Sequence, residues 1–234
     1  RPALPGDGLR RMSGAPAHDD PKGAAATVAL VTELLALMRR LRAECGWKRE
    51  QTHRSLVRYL LEETHETVEA IESGDAEHLR EELGDLLLQV WFHAVIGEET
   101  GEFTFDDVVR GLLDKLLRRN PHVFGECAGP APTDPETINE LWESVKAQEK
   151  RRGSPTDGLP ASLPALLYAD KVVDRLAREG RPVRVDAPAD LGERLLAVVV
   201  EARAEGVDPE QALRLAVRRR LPPSVPEAGP RAGR

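Results

Sequence analysis

The sequence turns on Gly74. Ser73-Gly74-Asp75 is a tight turn, and helical periodicity runs away from it on both sides, from Thr52 to about Glu72 and from about Ala76 to Glu98. Thr52 is the expected N-cap of the first segment. On that segment Leu56, Tyr59, Leu60, Ala70 and Ile71 define one apolar face. Glu63 and Glu66 fall inside the same arc, and Glu62 lies at its edge. On the second segment Glu82 and Asp85 are one turn apart, and Asp85 sits among Leu88, Phe92 and Ile96. With Gly74 as the hinge of an αα-hairpin, Glu66 and Glu82 are each eight residues from it, and Glu63 and Asp85 each eleven. The two pairs then lie at matching heights of ~12 and ~16 Å above the turn.

Ionised carboxylates on an apolar face are costly unless compensated, and crowding several together adds repulsion. A divalent cation is the simplest compensation. Hard cations take oxygen ligands, so Glu63, Glu66, Glu82 and Asp85 can converge on one or two Mg²⁺ ions, for which Mn²⁺ can substitute. Glu69, Glu72, Glu77 and Glu81 read instead as a solvated helix surface. Glu62-x-x-His65 has the spacing of di-iron bundles, but such a site needs a second Glu-x-x-His, and the other helix offers Glu82-x-x-Asp85. His65 therefore reads as a surface residue, and His93 and His122 as structural.

The remaining chain is helical in the same style. A first helix is expected over 27–44, ended by Cys45-Gly46-Trp47. The segment 76–98 is apolar almost all round and is expected to be buried. Thr104 with Asp107 starts a fourth helix that stops at Arg119 before Pro121, and Asp134-Pro135 opens a fifth to about Lys150. Helices are also expected near 165–179, 190–205 and 208–220. Strand signals are nearly absent, so the fold class is all-α. The domain reading is a disordered tail (1–26), a catalytic domain (27–152), a Gly/Ser/Pro linker (153–164), a second helical repeat (165–221) and a disordered tail (222–234). That repeat rests on the likeness of Leu83-Gly84-Asp85-Leu86-Leu87-Leu88 to Leu191-Gly192-Glu193-Arg194-Leu195-Leu196. It is degenerate, since no Glu-Glu-x-x-Glu helix precedes the second copy.

A net charge of −7 argues against a nucleic-acid binder, which would show a broad basic face. No apolar run approaches a membrane span, and no leader-like h-region opens the sequence. Two cysteines, Cys45 and Cys127, make no disulfide framework, so a cytoplasmic protein is expected.

At the carboxylates the chain resembles the MazG family, whose pattern is E-E-x-x-E followed by E-x-x-D on adjacent helices. Glu62, Glu63, Glu66, Glu82 and Asp85 match it. The resemblance continues through Trp47, Gln51-Thr52-His53, Leu86-Leu87-Leu88-Gln89 and Phe92-His93-Ala94. It extends to the stretch from Lys115 to Gly125, to Trp142-Glu143 with Lys146, and to Leu163-Pro164-Ala165-Leu166. Two departures are Cys45-Gly46-Trp47-Lys48, where the family commonly has Cys-Pro-Trp-Asp, and Asn120 in place of a His.

The resemblance implies a helical bundle of the all-α NTP pyrophosphohydrolase type, cutting NTPs to NMP and pyrophosphate. It implies Mg²⁺ on Glu63, Glu66, Glu82 and Asp85, with Glu62 as general base or further ligand. It assigns Lys115, Arg118 and Arg119 to phosphate, and Trp142 with Lys146 to the nucleotide. Trp47, beside Gly46, is a candidate to stack on or border the base. Two other functions compete: a non-catalytic helical nucleotide-binding module, and a narrow dUTP- or dCTP-type hydrolase. A two-helix site has few elements of its own, so a homodimer is expected, with helices of both copies completing the pocket.

Overall fold

A computed structural model describes residues 21–125, 132–149 and 153–221. Of the tails expected at 1–26 and 222–234, residues 1–20 and 222–234 lie outside the described residues, as does Cys127. Those residues form ten helices and no strand. They fall into two compact units, dividing between Lys146 and Ala147.

In the first unit, α1 spans Pro21–Glu44 and begins six residues before the expected start. The run Gly23-Ala24-Ala25-Ala26 lacks periodicity, but alanine is the strongest helix former, and proline is tolerated in a first turn. A four-residue helix, α2 (Gly46–Arg49), follows at once. Helix α3 is Val57–Ser73, so it starts five residues after Thr52. Thr52 does cap, but it caps a turn: its Oγ1 accepts from Ser55 N at 3.1 Å, and Ser55 Oγ accepts from Thr52 N at 2.9 Å.

Gly74, in the left-handed region at φ 74°, closes α3 and allows the chain to reverse. Asp75 then caps α4 (Ala76–Thr100), accepting from Glu77 N and His78 N at 3.0 and 3.1 Å. Helices α3 and α4 pack along each other as the expected antiparallel hairpin. Helix α5 (Phe105–Arg119) opens with a full capping box between Thr104 and Asp107, as the spacing predicts. Gly97 has a packing reason: a Cβ there would sit 2.8 Å from the Phe103 ring as the chain turns toward α5. Helices α6 (Pro121–Phe124) and α7 (Pro135–Glu149) follow, and Asp134 caps α7 through Thr137 N at 2.8 Å.

The core lies toward the C-terminal half of α4. Trp91, Phe92, Val95 and Ile96 meet Met38 of α1 and Leu56, with Leu34, Leu35, Leu41, Tyr59, Leu88 and Phe105 around them. Trp91 stacks on Phe105 with centroids 3.8 Å apart. The expectation that α4 is buried holds only in part: Leu83, Leu87 and Val90 stay 50, 46 and 41% exposed, on a side that no other helix of the first unit covers. Ile71, placed by periodicity on the apolar face, is also exposed.

The second unit holds α8 (Ala165–Arg178), α9 (Leu191–Ala204) and α10 (Pro209–Arg218), which pack on one another around Val173, Val199 and Pro209. Arg203 of α9 reaches Asp170 at 3.2 Å and also pairs with Asp174, both on α8. The stretch expected as a linker is held in turns. Asp157 Oδ2 accepts from Gly153 N and Ser154 N, and Arg175 Nη1 donates to the carbonyls of Pro155 and Asp157 at 2.7 and 2.8 Å.

Candidate metal centre and nucleotide site

The hairpin brings three of the four expected metal-binding carboxylates together. Glu63, Glu66 and Glu82 each offer an oxygen, and these oxygens lie within 4.8 Å of one another. Their surroundings differ: Glu82 is buried, Glu63 half-buried and Glu66 exposed.

Asp85 stands outside that close group but acts on it. Burial raises the Glu63 pKa above the usual carboxylate range, and the charges of Asp85, Glu66 and Glu82, in that order, raise it further. Every charge named in that field is a carboxylate. Glu63 also shares a hydrogen bond with Glu66, which likewise favours its protonated form. The charges that act on Glu63 are thus the other three acids of the expected set. The donor set is all oxygen, so the residues present fit a hard divalent cation.

Glu62 is not in the close group. Its carboxylate is half exposed and pairs with Arg58 one turn earlier, at 3.7 Å. His65 is exposed, as expected.

One partner of the cluster escaped the sequence reading. His78 Nε2 lies 3.0 Å from Glu82 Oε1, one helical turn away on α4. Such a contact orients a buried carboxylate, as outer-shell groups do at metal sites. The i,i+4 spacing of His78 and Glu82 was the available signal.

The candidate nucleotide residues gather at two further places. Trp47 on α2 is 51% exposed and meets Tyr59 of α3 edge-on, with centroids 5.9 Å apart. Lys48 Nζ lies 5.5 Å from the Trp47 ring and 4.9 Å from that of Phe92. At the end of α5, the Arg119 guanidinium lies 5.5 Å over the ring of Trp142. Lys146 pairs with Glu143 at 2.7 Å on the same helix as Trp142. Lys115 is half-buried and Arg118 exposed on α5. Arg118 and Arg119 also fall in the last turn of that helix, where cations are favoured.

His93, expected to be structural, has an unforeseen partner. Its ring stacks on that of His53, with centroids 5.0 Å apart and planes 7° apart, and the two Nδ1 atoms are 2.7 Å from each other. Burial and the neighbouring imidazole lower the His93 pKa. A contact across forty residues leaves no local signal in the sequence.

Residues 51–124 match the family described as the MazG nucleotide pyrophosphohydrolase domain, a span covering α3, α4 and α5 with all the carboxylates. The nucleoside triphosphate pyrophosphohydrolase/pyrophosphatase MazG of Thermotoga maritima is 38% identical over 216 residues, covering 81% of this chain and 82% of that protein. The nucleoside triphosphate pyrophosphohydrolase of Escherichia coli K12 is 40% identical over 186 residues, 76% of this chain and 70% of its own. A 26.1 kDa protein of Streptomyces cacaoi is 44% identical over 192 residues, 80% of this chain and 78% of its own. With the carboxylate hairpin in place and likeness of this extent along the chain, the protein belongs to the MazG family.

Proposed function

We propose that the chain is a nucleoside triphosphate pyrophosphohydrolase that converts NTP and water to NMP and pyrophosphate, depends on Mg²⁺, and accepts a broad range of bases. The observation that carries this reading is the convergence of Glu63, Glu66 and Glu82 within 4.8 Å, with Asp85 acting on Glu63 by charge. A purely structural hairpin gains nothing from that repulsion.

Glu63, Glu66, Glu82 and Asp85 would hold the ion, and Mn²⁺ suits the same oxygens. When bound, Mg²⁺ neutralises the triphosphate and lowers the pKa of a bound water. Glu82 is held in place by His78. Glu62, exposed at the edge of the cluster, is assigned as the general base or a further ligand. Lys115, Arg118 and Arg119 are assigned to the phosphates, where arginine binds bidentately. Trp142 and Lys146 line the nucleotide, and Trp47 borders the base with its exposed face.

The exposed leucines of the hairpin, with Leu112, Leu113 and Leu116 of α5, support a homodimer in which helices of the second copy complete the pocket. The described helices include none long and apolar enough to cross a membrane, and we place the protein in the cytoplasm. The catalytic domain is assigned to 27–152 and a silent helical repeat to 165–221.

The decisive experiment is release of pyrophosphate and monophosphate from a panel of NTPs and dNTPs, with Mg²⁺ and with EDTA. Metal-dependent turnover across several bases is expected. Turnover of one deoxynucleotide alone would establish a specialist, and tight binding without turnover a binding module. Light scattering tests the dimer, which a monomer would exclude.

A further inference from the structure

Two arginines one turn apart on α1 reach two adjacent glutamates near the end of α4. Arg39 Nε and Nη2 donate to Glu98 at 2.9 and 3.0 Å. Arg42 Nε donates to Glu99 Oε1 at 2.9 Å, and its Nη2 pairs with Glu99 Oε2. Both forks tie the same two helices, but their surroundings differ. Arg39 is 53% exposed, whereas Arg42 is 7% exposed. Arg42 also does something Arg39 does not. Its Nη1 donates to the carbonyl of Lys48 and, at 2.9 Å, to that of Gln51.

Those carbonyls lie at the end of α2, the four-residue helix that carries Trp47. So short a helix cannot hold its own geometry, since nucleation costs more than one turn of hydrogen bonds returns. Its order comes from outside. Arg42 adds a donor to the Lys48 carbonyl, which also accepts from Gln51 N at 3.3 Å, and supplies one to the Gln51 carbonyl, while Gln51 Nε2 ties back to the Trp47 carbonyl at 3.0 Å. Ser55 Oγ in turn donates to Gln51 Oε1 at 2.7 Å. The buried guanidinium links α1, α4 and the Trp47 segment at once.

We infer that Arg42, braced by Glu99, is a positioning residue for nucleobase recognition: it fixes α2 so that the exposed face of Trp47 is held ready beside Tyr59. This rests on the assignment of Trp47 to the base. Arg42 touches neither the phosphates nor the metal-binding carboxylates in this scheme. Its loss should therefore weaken what the base contributes and spare what the triphosphate contributes.

The test measures binding of an α,β-methylene nucleoside triphosphate with Mg²⁺ by calorimetry, with steady-state hydrolysis alongside. The proteins are wild type, Arg42→Gln, Arg42→Lys and the control Arg39→Gln, each checked for helix content and melting temperature. Arg42→Gln should weaken analogue binding and raise KM about tenfold, the scale of part of one base-stacking contact, with kcat within about twofold. Arg42→Lys, which keeps the charge but not the fork, should fall between. Arg39→Gln should lower the melting temperature and leave KM unchanged. Inorganic tripolyphosphate, which has no base, should inhibit wild type and Arg42→Gln equally.

Wild-type affinity in a folded Arg42 variant overturns the inference. An equal KM rise in Arg39→Gln, or an equal loss of tripolyphosphate inhibition, overturns it too. Analogue binding by wild type without turnover sinks the proposed reaction but leaves this inference standing, whereas no binding at all sinks the inference.

Discussion

The same three-residue pattern, Leu-Gly followed by an acid, occurs twice in the chain and has two different fates. In α4, Leu83-Gly84-Asp85 are the eighth to tenth residues of the helix, and the Asp85 charge acts on Glu63 across the hairpin. In α9, Leu191-Gly192-Glu193 is the first turn. Asp190 accepts from Glu193 N at 2.9 Å, and the Glu193 carboxylate accepts from Ala189 N at 2.6 Å. One acid faces other acids; the other is consumed in starting its own helix. What separates them is where the helix begins, which the tripeptide itself does not specify. The second copy thus keeps the pattern while its acid satisfies local backbone donors.

The contrast can be broken in four ways. Glu63→Gln or Asp85→Asn should cut metal-dependent hydrolysis about a thousandfold or more, ~4 kcal/mol in the barrier, with helix content retained. Glu193→Gln should leave turnover at the wild-type level. Equal losses in both copies would end the distinction. Next in size, Asp190→Ala should destabilise the second unit by about 1 kcal/mol, the usual worth of an N-cap, read by chemical denaturation. The same substitution type at Asp85 should cost no such cap.

Smaller effects concern pH. The folded Glu63 pKa is raised, so its contribution to stability is present at acid pH and lost as pH rises through that raised value. In EDTA at neutral pH, Glu63→Gln should therefore stabilise the protein, by roughly 0.5 kcal/mol if only one like-charge helical pair is relieved. Saturating Mg²⁺ should reverse the order of wild type and variant. A destabilised variant in EDTA would mean that the acids do not repel as described. Glu98, at the core end of α4, has the opposite sign. Its hydrogen bonds from Arg39 lower its pKa, so its contribution is present above the ordinary glutamate range and lost as pH falls through the lowered value. Because Arg39 is largely solvated, Glu98→Gln should cost at most about 0.5 kcal/mol at neutral pH, and less in acid.

What could be read from the sequence was chemistry confined to a few neighbouring residues. Thr104 and Asp107 cap α5, Asp75 caps α4, and Gly74 reverses the chain, because each acts within one turn of itself. The matching heights of the acids followed from that single hinge. Periodicity misled where the partner surface decides exposure. Ile71, Leu83 and Leu87 look like core residues, yet they are 59, 50 and 46% exposed. Thr52 looked like a helix start because its side chain does cap, but a turn intervenes before Val57. The grip of Arg42 on the Lys48 and Gln51 carbonyls and the His53–His93 stack were out of reach. Each depends on how separate helices meet, and neither residue pair carries a local pattern.

The hinge at Gly74 also bears on how such a chain can change over evolutionary time. Surface turns usually tolerate insertions and deletions. Here one added or lost residue on either side of Gly74 would slide Glu82 and Asp85 by about 1.5 Å along the axis and swing them by roughly 100° around it relative to Glu63 and Glu66. The acids would no longer converge, although both helices could still form. Length variation in this lineage should therefore accumulate elsewhere, and the turn between α3 and α4 should keep its residue count even where its side chains drift.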